Sequence, residues 1–123
     1  MVKTNNKIIK KKLVVDRYSF YKIHISLINP IIGLNLTNRE IEILSCFIML
    51  NGDLENDPFS STGREIVRKK LNLSFSGLSS YLKNLKDKGC IIIDNKTQKL
   101  SIPDVLRPNK KEQLYAFKLV YEE

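Results

Sequence analysis

At 123 residues with a net charge of +8, the chain amounts to one domain with room for a single modest core. Forty-two percent apolar and 28% charged residues exclude wholesale disorder. The longest apolar run, Cys46–Leu50, is far short of the roughly 20 residues a membrane helix needs, so no membrane partner is expected.

Residues 1–12, with Lys3, Lys7, Lys10, Lys11 and Lys12 and only Ile8 and Ile9 able to pack, are expected to form a flexible basic arm. Leu-Val-Val and then Asp16-Arg17 follow, so no secretory apolar core is expected. Residues 13–123 are expected to form one domain. Residues 20–28 alternate, with Tyr21, Ile23, Ile25 and Leu27 on one side and Phe20, Lys22, His24 and Ser26 on the other. That period of two predicts a strand ending at Asn29-Pro30.

Thr37-Asn38-Arg39-Glu40 is a capping-box sequence, flanked by Leu36 and Ile41 at the positions of a hydrophobic staple. With the apolar spacing of Ile41, Leu44 and Phe47 or Ile48 it predicts a helix over 37–51, closed by Asn51-Gly52. The acidic stretch Asp53–Asp57 alternates like the start of a calcium loop. Pro58 stands where that loop needs glycine, however, and Arg64 where it needs a bidentate glutamate. A solvated loop is expected, and no metal.

A second helix is predicted over 62–72, with Thr62-Gly63-Arg64-Glu65 as its capping box. Ser74 is placed to cap a third, over 74–88, whose Leu78, Tyr81, Leu82 and Leu85 share one face. Gly89 stands at the left-handed cap position, with Lys86 and Lys88 suited to the negative end of the helix dipole. After Gly89 the period changes. Cys90–Ile93 and Lys99–Ile102, joined by a polar turn, predict a hairpin over 90–102. Leu114–Tyr121, with Tyr115, Phe117, Leu119 and Tyr121 on one side, predicts a last strand.

Helix, short helix, three-residue turn, helix and hairpin is the order of a winged helix-turn-helix, and residues 36–102 resemble that superfamily. Leu36–Leu44 is similar to the opening helix of MarR-type regulators, and Leu73–Ile91 to their recognition helix leading into the wing. The ending Leu85–Ile91 is common to many winged helices, from transcription regulators to replication initiators. The chain departs from the MarR type in lacking the paired Asp and Arg of its wing. It also lacks long flanking helices in this reading, since strands stand at both ends. The expected class is therefore α+β: a winged helix-turn-helix with the helix-turn-helix at 62–88, the wing at 90–102 and additional N- and C-terminal strands.

Charge is uneven: +6 over 1–29, −4 over 30–62, +6 over 63–99 and zero over 100–123. Two basic blocks around an acidic one suit a polyanion. The resemblance implies that the third helix enters the major groove of double-stranded DNA. Turning Leu78, Leu82 and Leu85 inward leaves Ser76, Ser79, Ser80, Lys83, Asn84 and Lys86 to face bases and phosphates. Thr62 and Arg64 would touch backbone phosphate, Lys96 and Lys99 would grip the flanking groove, and Lys7, Lys10, Lys11 and Lys12 would follow neighbouring phosphates. Arg68, Lys69 and Lys70 are expected to face solvent.

One histidine, no tryptophan and no Gly-rich phosphate loop leave no constellation for an enzyme, and no cofactor is expected. Cys46 and Cys90 lie in apolar surroundings and form no metal signature, which points to core positions and a reducing, cytoplasmic setting. Lys, Ile and Asn make up 42 of the 123 residues, the bias of an AT-rich genome such as a low-GC bacterium, plasmid or phage. The competing expectation is a winged helix used as an interaction module, in a phage particle or a replisome. It would pair with itself or another protein through the two terminal edge strands.

Overall fold

The computed structural model describes residues 11–108 and 110–123. The fold is mostly helical with one small antiparallel sheet, an α+β arrangement. Helix α1 spans Arg17–Ile32, α2 Asn38–Ile48, α3 Asp53–Asn56, α4 Ser61–Lys70 and α5 Phe75–Asp87. Strands β1 (Ile92–Ile93) and β2 (Leu100–Ser101) form a hairpin, and a 3-10 turn at Asp104–Leu106 follows. Ile92 pairs with Ser101 and Ile93 with Leu100. No helix among the described residues is long and apolar enough to cross a membrane.

Helix α2 is the centre. Eight of its 11 residues are buried, so it is covered on nearly every side rather than along one stripe. It packs against α1 and α4, α4 packs against α5, and α1 also meets the 3-10 turn. Thr37 caps α2 with the expected box: its hydroxyl accepts from the Glu40 amide at 3.2 Å, and the Glu40 carboxylate accepts from the Thr37 amide at 2.8 Å. The Phe47 and Phe59 rings, with centroids 4.5 Å apart, tie the acidic loop to the same core. Cys46 and Cys90 are buried free thiols, and burial pushes the Cys90 thiol up to about 11.

The N-terminal strand expected over 20–28 is a helix. Its β-branched and aromatic content fits either structure, and so does its pattern of apolar residues. Tyr18, Tyr21, Ile25 and Ile28 repeat at three- and four-residue steps and face the core, a helical stripe overlying the alternation. The ends decide. The Asp16 carboxylate accepts from the Ser19 amide at 2.8 Å, and Gly33 closes the helix with φ +70°. Pro30 is accommodated in the last turn, and the Asn29 side-chain amide grips both backbone groups of Leu36. A 16-residue helix therefore precedes α2, where strands had been expected to replace flanking helices.

The C-terminal strand over 114–121 does not form either. With 20–28 helical and each hairpin strand two residues long, no matching edge among the described residues offers it a ladder. Leu114, Phe117, Leu119 and Tyr121 are exposed. Tyr115 instead meets His24, which is buried in α1 rather than on the polar side of a strand. The carbonyl of Val105, 2.8 Å from Nε2, can only accept, so Nε2 carries a proton; in the neutral ring Nδ1 then accepts from the Tyr115 hydroxyl at 2.6 Å.

Two smaller expectations also shift. The cap of α4 is Ser60, whose hydroxyl accepts from the Gly63 amide at 3.2 Å, not Thr62. Glu65 consequently does not reach back; it pairs with Arg68 at 2.6 Å and Lys69 at 3.6 Å. The acidic loop holds the single turn α3.

Glu40 is 2% exposed and receives the Lys88 ammonium at 2.6 Å. Burial by itself would raise its carboxyl, but the Lys88 hydrogen bond, the Thr37 amide and the Lys88 charge together hold it below its ordinary value of 4.5. A depressed carboxyl stabilises the fold fully above its ordinary value and loses that contribution as pH falls through the lower folded value. Urea midpoints should therefore drop as pH falls below 4.5, and Glu40→Gln should flatten that dependence. Lys88→Met leaves the buried carboxylate without a countercharge and should cost about 3 kcal/mol at neutral pH. At Gly63, an added Cβ would collide with the Pro58 carbonyl oxygen, a backbone atom. Gly63→Ala should cost roughly 1–3 kcal/mol by denaturation while leaving far-UV dichroism native.

Candidate nucleic-acid interface

Helices α4 and α5 are joined by a tight turn whose geometry comes from its own residues. Asn72 takes the left-handed conformation, φ +55°. The Leu73 amide bonds the Arg68 carbonyl at 2.9 Å and the Asn72 amide the Lys69 carbonyl at 3.3 Å, the paired bonds of a Schellman closure. Ser74 then opens α5, its hydroxyl accepting from the Gly77 amide at 3.0 Å. Two arginines cover the turn's carbonyls. Arg39 donates to Leu71 at 2.6 Å and Arg68 to Leu73 at 3.3 Å. Arg68 thus holds the turn as well as Glu65 and is not a free surface cation, as had been expected of it.

α5 is two-faced. Leu78, Leu82 and Leu85 are buried, while Ser76, Ser79, Ser80, Lys83, Asn84 and Lys86 are all exposed. At about 3.6 residues per turn, Ser76, Ser80 and Lys83 stand opposite the buried stripe. Ser79 and Lys86 lie on one flank and Asn84 on the other. The far end of α5 is fixed by Gly89, φ +77°, with the Cys90 amide on the Leu85 carbonyl at 2.9 Å and the Gly89 amide on Lys86 at 3.0 Å.

Two residues on this surface carry chemistry that the apolar pattern did not single out. Phe75, first residue of α5, is 77% exposed. It shares the flank of Ser79 and Lys86, where an apolar ring can meet a thymine methyl. The signal for it was an aromatic residue just after a capping serine and outside the leucine stripe. Asp87, exposed and in line with Ser76, Ser80 and Lys83, places one negative charge at the C-terminal end of that face. The N-terminal half of the helix carries hydroxyls and no charged side chain, since Lys83 and Lys86 both lie in the C-terminal half.

The remaining expected residues fall around α5. Thr62 is exposed in the first turn of α4. Arg64 is half-buried, and its Nε donates to the Phe59 carbonyl at 2.8 Å, so it braces the acidic loop. Lys96 and Lys99 are exposed on the hairpin, whose tip is organised by Asp94. That carboxylate accepts from the Lys96 amide at 2.8 Å and the Thr97 amide at 3.1 Å, and the Thr97 and Lys96 amides hold it below its usual range. Lys11 and Lys12 are exposed. Lys7 and Lys10 lie outside the described residues.

The two faces of α5 should separate by mutation. Leu82→Ala should lower stability by about 2–5 kcal/mol, since it empties a packed position. Phe75→Ala and Lys83→Ala should leave the denaturation midpoint within roughly 0.5 kcal/mol of wild type. A large loss at Lys83 with none at Leu82 would mean that α5 is turned the other way round.

No protein-family model, curated protein or solved structure matches this chain, so the meaning of this surface rests on its own geometry and charge.

Proposed function

We propose that this chain is a winged helix-turn-helix protein that binds double-stranded DNA, either a transcription regulator or the DNA module of a replication initiator. Its setting is the cytoplasm of an AT-rich bacterium or of one carrying such a plasmid or phage. α5 acts as the reading helix and the hairpin as the wing. The observation that carries the reading is the polarity of α5, with three leucines buried and an exposed surface of hydroxyls, an amide and two lysines, interrupted by Asp87 only at its C-terminal end. A 13-residue helix is about 20 Å long and 10–12 Å across with side chains, which suits a major groove about 12 Å wide.

Support also comes from the surroundings of that face. Small hydroxyls at Ser76, Ser79 and Ser80 let the backbone approach closely, and Lys83 and Asn84 have the reach for base edges. Asn84 has the two-pronged geometry that adenine accepts. Thr62 and the lysines of the wing and the arm supply sequence-blind phosphate contacts. Arg64 contributes less, since its Nε is engaged by Phe59.

A second reading is a protein–protein module. It is favoured by the exposed apolar side chains of the C-terminal segment and by Asp87 on the α5 face, which a polyanion does not require.

A salt series separates the two. About six phosphate contacts give a slope of log K against log salt of roughly −5. A flat response, or no binding at low salt, overturns the DNA reading. Within that reading, Lys83→Ala and Asn84→Ala should each cost about 1–3 kcal/mol of discrimination between a preferred and a random duplex. Deleting residues 1–12 should instead weaken all duplexes alike and make the salt slope shallower, because its lysines can add only charge.

A further inference from the structure

A cleft of about 570 Å³ opens between the first half of α1, the last half of α2 and the chain from Ile102 to Lys111. Its apolar wall includes Phe20, Phe47 and Leu50, while Arg17, Arg107, Lys110 and Lys111 stand around it against one carboxylate, Glu55. The occupant that matches such a site is apolar along its length and negative at one end.

This chain carries such a segment. Past Tyr115, Phe117 is 65% and Leu119 fully exposed, and Val120 and Tyr121 are exposed with them; Glu122 and Glu123 follow immediately. Exposed apolar side chains of this density call for a covering surface. The chain's own cleft is poorly placed to provide it. Lys111 lines the cleft beside Arg17, but Tyr115 is pinned to His24 at 2.6 Å. His24 lies two helical turns, about 10 Å, further along α1 from Arg17. Phe117, Leu119, Val120 and Tyr121 are accordingly exposed rather than seated in the chain's own cleft, and from Tyr115 they would have to turn back to reach it.

We propose that the cleft receives residues 116–123 of a second copy of this chain. Phe117, Leu119 and Tyr121 lie on the apolar wall, and Glu122 and Glu123 meet Lys110, Lys111 and Arg107. The exchange is reciprocal, so the same contact forms twice about a two-fold axis and closes as a dimer. It stands whether or not α5 reads DNA.

Charge reversal tests it without touching the core. Sedimentation equilibrium of the wild-type chain in the absence of DNA should give twice the 14.2 kDa of one chain. The Lys110→Glu/Lys111→Glu variant sets an acidic segment against an acidic cleft, and Glu122→Lys/Glu123→Lys sets a basic one against a basic cleft. Each should sediment as a single chain with native far-UV dichroism. Mixed in equal amounts, the two variants should return to the doubled mass, because both contacts in the mixed pair are then complementary. A wild-type chain of single mass overturns the proposal, including the case where a medium-chain carboxylate shifts the Phe20 and Phe47 amide resonances and reveals a small anionic ligand instead. A doubled mass that both variants keep, or that the mixture does not restore, overturns it as well.

Discussion

The buried carboxylate of Glu40 is the constraint on which the rest of the structure depends. A carboxylate cannot be removed from water without partners, and the partners it takes come from both ends of the helical core. The Thr37 amide at 2.8 Å belongs to the start of α2, and the Lys88 ammonium at 2.6 Å to the end of α5. Lys88 also donates to the Asn35 carbonyl at 2.7 Å, so one ammonium fixes the loop before α2 as well. The approach is anchored on its other side by the Asn29 amide on Leu36. α1, α2 and α5 are thus held at one place by directional bonds, where apolar packing alone would tolerate sliding.

That junction gives α5 its orientation. With its C-terminal end held to α2 and its N-terminal end set by the Asn72 turn, the helix has little freedom to roll. Which of its faces meets solvent then follows from the leucines. The arginines divide between structure and surface on the same principle. Arg39 and Arg68 have planar guanidinium groups suited to backbone carbonyls and are spent on the turn, and Arg64 braces the acidic loop. The exposed cations of α5 and the hairpin are all lysines, which act on phosphate as point charges rather than as two-pronged readers. If α5 reads DNA as proposed, base discrimination would fall to Asn84, to Phe75 and to the lysine that stands opposite the core.

Tyr18 shows how the same core handles its own edge. Lys22 lies 4.8 Å and Lys70 5.3 Å from the centre of its ring, so one aromatic face on α1 gathers a cation from its own helix and one from α4. Burial, and to a lesser extent Cys46 and Glu42, push its hydroxyl up to about 12. The ring stays neutral while the ammonium groups keep their stems on apolar surface.

Where local chemistry is self-sufficient, the sequence by itself determined the outcome. The Thr37–Glu40 box, the Ser74 cap, the left-handed Gly89, the leucine stripe of α5 and the hairpin after it all depend on partners within a few residues. The exposed polar face of α5 was legible for the same reason, because it is what remains once Leu78, Leu82 and Leu85 turn inward. Only the tertiary structure decided the two ends of the chain. Residues 20–28 satisfy a period of two and lie within a helical stripe at once, and packing of Tyr18, Tyr21, Ile25 and Ile28 on the core selects the helix. Residues 114–121 have strand composition but no edge among the described residues to join, and a strand exists only with a neighbour to accept its hydrogen bonds. The Glu40–Lys88 pair and the Arg39 clamp on Leu71 were likewise out of reach. They join residues 48 and 32 positions apart, and no local pattern announces which carboxylate or carbonyl a long charged side chain will find.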